Sequence, residues 1–388
     1  MSEFRPTKPY LFDAGKIQLE LHRFRNDGKP RVLLLHGASA CHHTFLFGRK
    51  PGGLARYLHE NGFEPWLLDW CGSNRVIDKY QGRGNWKSGR FDFDKAAAVD
   101  LPAALEKIEE VDYRDKREDQ PMPYVVGFCM GSAVIAQSIA AGHLDGRDIR
   151  NVVLMTIGLF YRTTTQGGWK IQDHILDRVM ADQGEDDRYI DSRCHTATPQ
   201  PIHPWPATFE TMYGLWPSNF QPHHSHHGDR QRNRRHIYEQ CNRVSFMFGQ
   251  PYEEAQLVPD LHESPEELGT QFGAIPLRMY QQAAQNARRG WAAEIDATTP
   301  QETGKLLSNE ARRHFAALDR ITLITGARNR IWHHDSIDRM HEWLRRPTHR
   351  ADGQLVKHVL RNYGHQDLLW GKNAENDVYS LIADRLRF

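Results

Sequence analysis

Tyr124-Val125-Val126-Gly127-Phe128-Cys129-Met130-Gly131-Ser132-Ala133 sets a cysteine between two glycines, after an apolar run and before a run of small residues. A strand that turns sharply into a helix lifts the residue at the turn clear of the sheet, so Cys129 is a candidate nucleophile. The turn demands a cramped backbone at Cys129, and Gly127 and Gly131 are neighbours without side chains. The helix N-terminus beneath the sulfur favours a thiolate. Such a nucleophile needs a base. Among 22 histidines, His365 is singled out by its slot in Asn362-Tyr363-Gly364-His365-Gln366-Asp367, a glycine-bearing loop after the last strand. When the order is nucleophile, acid, base, the histidine belongs there. Asn329, in Gly326-Ala327-Arg328-Asn329, occupies the place after the penultimate strand where an acid is usual. An amide oxygen can orient an imidazole, and Asp335, close downstream, is the alternative. Acyl transfer also needs two backbone N–H groups for the oxyanion. Ala38, in His36-Gly37-Ala38-Ser39, and Met130, just after the cysteine, are the candidates.

These residues require strands that end together. Residues 17–24 alternate apolar and polar, and Asp27-Gly28 makes a turn. Arg31-Val32-Leu33-Leu34-Leu35 is continuously apolar after its first residue, as in a parallel strand covered on both faces. A helix is expected over 44–61, broken early at Pro51-Gly52-Gly53, then a strand over 64–70, and a polar loop over 75–91. Ala97, Leu101, Ala104, Leu105 and Ile108 mark one face of a helix over 94–110. The elbow strand follows, then a helix over 131–141 and a strand over 151–156. The rhythm resumes with a strand at 320–326, a helix at 335–344, a strand at 355–360 and a closing helix at 376–386. The expected class is α/β, a mostly parallel central sheet flanked by helices. Residues 1–158 and 309–388 would form this core, and 159–308 a large, mostly helical cap over the site. Trp205, Phe209, Trp216, Phe220, Phe246 and Phe248 are among the expected apolar cap residues, with Trp216 and Phe248 the candidate substrate contacts.

With 50 Lys and Arg against 49 Asp and Glu, the charge balance points neither to nucleic acid nor to an anionic membrane. No run of about 18 apolar residues is long enough to span a bilayer. No apolar segment follows Met1, so no signal peptide is expected. Cys41, Cys71, Cys129, Cys194 and Cys241 are odd in number and scattered, which suits free thiols in the cytoplasm. His223-His224-Ser225-His226-His227 lacks acidic or cysteine partners at ligand spacing and reads as a solvated loop, so no metal is expected. Arg230-Gln231-Arg232-Asn233-Arg234-Arg235 reads as a wet surface, with a landing patch for a phosphate-bearing substrate such as coenzyme A as its functional alternative.

Together these residues resemble the α/β-hydrolase superfamily over the core. The stretch from Asn362 to Lys372, with Cys241-Asn242-Arg243 and Phe248-Gly249, is similar to a branch found beside cholesterol-oxidase-like flavoproteins. The cysteine elbow is also similar to those of polyhydroxyalkanoate synthases and dienelactone hydrolases. The resemblance implies Cys129 as nucleophile, His365 as base, and Met130 and Ala38 as oxyanion donors. Asn329 departs from the usual aspartate. No Gly-x-Gly-x-x-Gly follows a strand, so no flavin or other cofactor is expected. The expected function is acyl transfer through a Cys129 thioester, from an activated ester or a thioester such as acyl-CoA to an alcohol or amine. The alternatives are an esterase or thioesterase, and a non-catalytic relative that binds a hydrophobic ligand. A homodimer is compatible with all three.

Overall fold

Alternating residues on β3 (Arg31–Leu35) divide between two buried layers, Leu33 and Leu35 to one and Val32 and Leu34 to the other. A strand rises with successive side chains on opposite faces, so a wholly apolar strand must be covered on both. The computed structural model describes residues 4–48, 50–80, 91–116, 121–165, 168, 189–192, 243–252, 271–346 and 353–387. Before β3 come β1 (Tyr10–Ala14) and β2 (Ile17–Arg23). After it follow β4 (Glu64–Asp69), β5 (Tyr124–Phe128) and β6 (Asn151–Met155). Then come the short β7 (Tyr189–Asp191) and β8 (Ala274–Pro276), and finally β9 (Arg320–Gly326) and β10 (Leu355–Leu360). Eight of these form one sheet in the order β1-β2-β4-β3-β5-β6-β9-β10. β1/β2 and β2/β4 pair antiparallel, and every later pairing is parallel. β7 and β8 form a separate antiparallel pair.

The chain runs outward from β3 to β4 and then crosses back to β5 on the other side of β3. This reversal opens a crevice beyond the carboxyl ends of β3 and β5, where ligands of open α/β sheets bind. The loop at His36 and the turn at Cys129 both leave the sheet there.

The break expected at Pro51-Gly52-Gly53 is present, with a single turn, His42–Phe45, before it and a helix, Gly53–Glu60, after it. Gly52 has φ 99°, and a side chain on Gly53 would press on the Phe47 carbonyl carbon at 2.9 Å, so the chain cannot continue straight through. The expected loop over 75–91 begins with a helix, Asn74–Tyr80, that buries Val76 and Ile77. Its Tyr80 hydroxyl accepts from the Gln18 N–H at 2.6 Å. Val76 and Ile77 side by side, with Tyr80 as the one further hydrophobic residue, leave too little periodicity to read from sequence. β1 was not anticipated; it forms a tight hairpin with β2 through Gly15 at φ 66°. Residues 193–242 and 253–270 lie outside the described residues, among them Trp216 and the histidine and arginine runs. Among the described residues, no helix is long and apolar enough to cross a membrane.

Candidate active site

β5 ends at Phe128, and Cys129 follows with φ 55° and ψ −128°, an uncommon conformation for a residue with a side chain. The next residue starts the helix Met130–Ala140, every residue of which is buried. Each flanking small residue has a measurable reason. A methyl at Gly127 would sit 2.6 Å from Ser132 Cα, and one at Gly37 would meet Cys129 Cβ at 3.0 Å. A methyl at Gly131 would strike the Leu35 carbonyl oxygen and lie 2.5 Å from that of His36. Ser132 ties the turn to β6, donating to the Met155 carbonyl at 3.0 Å and accepting from the Met155 N–H at 2.8 Å. Gly131→Ala is therefore expected to cost about 3 kcal/mol, the upper end for overpacking, because the obstacle is backbone. An unchanged urea midpoint for that variant would contradict this account.

Cys129 and His365 line one pocket, together with Ala38 and Met130. The imidazole of His365 is buried and packs against Phe128, ring centroids 5.1 Å apart. Its Nδ1 lies 3.2 Å from Asn329 Oδ1. That same oxygen accepts from the N–H groups of Ile331, at 3.0 Å, and Trp332, at 3.1 Å. Two backbone donors identify the atom as the amide oxygen, so Nδ1 must carry the proton and Nε2 a bare lone pair. Nε2 is buried without a hydrogen-bond partner. The loop of His365 is set by the Gly364 N–H, which donates to Asp367 Oδ2 at 2.7 Å, and by the Gln366 N–H, which donates to the Pro251 carbonyl at 2.7 Å. Asp335, the other candidate orienter, faces His333 Nδ1 at 3.4 Å and His334 Nδ1 at 3.7 Å instead.

Burial sets the protonation states. It pushes the Cys129 thiol up to about 12, against the lowering effect of the Met130 N–H and the Trp332 indole. The indole N–H faces the sulfur short of full hydrogen-bond geometry and has no other partner. Cys129 keeps partial exposure because it opens onto the pocket. Burial likewise lowers His365 to about 3. Burial thus disfavours the expected thiolate and the imidazolium alike: a single helix end does not offset the loss of water around the sulfur. With Asn329 behind it, the imidazolium also lacks a counter-charge.

Among the described residues, no charged side chain lines this pocket; Phe93, Phe246, Met247, Phe272 and Ile275 form much of its wall. Phe248 lines it too, packed edge-on against Tyr280 at 5.6 Å. Trp216 lies outside the described residues. The Tyr280 hydroxyl donates to the Met247 carbonyl. Sequence reading missed Trp332, Tyr280 and Phe93. Trp332 follows Asn329 closely enough to have been noticed, but nothing local marks the other two.

Neither a scan against family models nor a search of curated proteins by sequence finds a match. Solved structures do match. A lipase in its open form aligns with 98% of each chain covered, 14% identity and a TM-score of 0.56. A carboxyl esterase from Bacillus coagulans, in complex with glycerol, covers 98% of this chain and 97% of its own, with 12% identity and a TM-score of 0.55. A monoacylglycerol lipase from Paleococcus ferrophilus covers 95% of this chain and 99% of its own, with 11% identity and a TM-score of 0.50.

Proposed function

We propose, starting from an α/β-hydrolase fold with cysteine at its elbow, that this chain transfers acyl groups through a thioester on Cys129. One observation carries the reading. Cys129 and His365 line the same apolar pocket, the imidazole Nε2 is buried without a hydrogen-bond partner, and the other imidazole nitrogen is engaged by Asn329.

Nε2 of His365 takes the thiol proton as the sulfur attacks the acyl carbonyl. Negative charge gathers on the carbonyl oxygen, to which the N–H groups of Met130 and Ala38 donate. Ala38 suits this role, since its N–H has no hydrogen bond among the described residues. As the intermediate collapses, the bond to the leaving alcohol or thiol breaks and His365 returns the proton to it. The acceptor then gives its proton to His365 and attacks the thioester carbonyl; the C–S bond breaks and His365 passes the proton to the departing sulfur, restoring the thiol. The pocket wall suits an acyl group that is apolar and uncharged near the carbonyl. Residues 159–308 form the cap in this reading, with Phe248 and Trp216 as substrate contacts, and water exclusion beneath it favours an alcohol or amine acceptor.

Hydrolysis is the second reading, because the matched structures carry the names lipase and esterase. It differs only in the acceptor. The test is to mix the protein with p-nitrophenyl butyrate and with butyryl-CoA, and to follow an acyl adduct on Cys129 by peptide mass. Alcohol and amine acceptors are then added. Acylated acceptor supports transfer, free acid in every case supports an esterase, and no adduct removes both in favour of ligand binding.

A further inference from the structure

Asp69, the last residue of β4, is fully buried and points its carboxylate at both ends of the loop that carries Ala38. In the parallel register Leu35 lies beside Leu68, so Asp69 stands level with His36, where that loop begins. His36 Nδ1 lies 2.6 Å from the Gly37 carbonyl oxygen, and its Nε2 stands 3.4 Å from Asp69 Oδ1 without a hydrogen bond. At the far end, the His42 N–H donates to Oδ1 at 2.8 Å and its Nδ1 lies 2.7 Å from Oδ2. Ser73 Oγ donates to Oδ1 at 3.0 Å, His22 Nε2 lies 3.3 Å from Oδ2, and Arg75 Nε stands 3.6 Å from Oδ2.

His22, His42 and Asp69 bring three metal-capable atoms within 4.8 Å of one another. Protein donors already engage both carboxylate oxygens, and a guanidinium stands beside one of them, so the cluster reads as a hydrogen-bonded clasp. Gly72 and Asn74, just beyond the end of β4, hold the middle of the loop. The Ser39 N–H donates to the Gly72 carbonyl at 3.0 Å, and the Asn74 N–H to the Ala40 carbonyl at 2.9 Å. Ser39 itself is at φ 67°, a conformation that needs outside support.

We propose that Asp69 is a positioning residue for acyl transfer: its carboxylate, tied to His42 and Ser73 and standing level with His36, braces the loop and so aims the Ala38 N–H at the oxyanion. This rests on the acyl-enzyme reading above. An oxyanion donor acts only when charge reaches the carbonyl oxygen. Alkylation of the same thiol by iodoacetamide builds no such charge. The two reactions therefore separate loss of the clasp from general damage.

Asp69→Asn keeps the shape but puts an amide NH₂ where donors converge. In single-turnover acylation by p-nitrophenyl butyrate, this variant is expected to be slower by roughly 10–100-fold. Its alkylation by iodoacetamide should stay within about threefold of wild type, since the thiol and its base are untouched. If Asp69→Asn fails to fold, His42→Ala, which removes one side-chain tie and keeps the carboxylate, must show the same split at smaller size. Unchanged acylation, or alkylation falling in step with it, overturns the proposal. Wild-type protein that alkylates at Cys129 yet never acylates there sinks the acyl-enzyme reading itself, and this inference with it. Wild type that acylates beside an equally fast Asp69→Asn sinks this inference alone.

Discussion

Cys129→Ala is expected to reduce release of p-nitrophenolate from an activated ester by about 10⁴-fold or more, to the level of the uncatalysed reaction. No other described thiol can substitute. Cys41 and Cys71 are buried, and burial raises both thiols above their ordinary range. The expected adduct mass on the Cys129 peptide should vanish with the same substitution. Cys129→Ser should recover little, roughly 10²-fold below wild type or worse, because a hydroxyl depends more heavily on a base that can hold positive charge. Asn329 offers His365 an oxygen but no charge. Turnover that survives in the alanine variant would remove Cys129 from the mechanism outright.

The reaction of Cys129 with iodoacetamide should climb about tenfold per pH unit from neutral into alkaline solution, without an acidic plateau. Burial carries the thiol up to about 12, so it is protonated at neutral pH and its thiolate fraction grows as pH rises. Burial carries His365 down to about 3, so the imidazole is already neutral and contributes no ion pair in that range. A thiolate–imidazolium pair would instead react at a nearly constant rate across neutral pH. Stopped-flow alkylation over that range decides between them, and a flat profile counts against the neutral pair. His365→Ala should slow acylation by about 10²–10⁴-fold, the span of general-base contributions. Asn329→Asp supplies the missing charge behind the ring, favours the imidazolium and should move the reactive range to lower pH.

Much of this site could be read along the chain because its parts are locally encoded. Gly127-x-Cys129-x-Gly131 after an apolar strand leaves few backbone paths, and the chain takes the strained one at φ 55°. His365 is marked by its place after the last strand and Asn329 by its place after β9; parallel sheets deliver strand-end loops to one edge, and so the two side chains meet at 3.2 Å. The aromatic lining was legible only in part. Phe246 to Phe248 form a dense local cluster, whereas Phe93, Tyr280 and Trp332 reach the pocket from separate elements.

Residue order and local pattern were enough to set the strand rhythm, the elbow, and which cysteine and histidine to consider. The charge they carry was not. A glycine pair speaks for its own turn, but a protonation state depends on how much water every surrounding segment removes, and those segments come from β5, β9 and the loop after β10 alike. The clasp of Asp69 is of the same kind: His22, His42 and Ser73 lie far apart or in unremarkable company along the chain, and only pairing of β2, β3 and β4 brings their donors to one buried carboxylate.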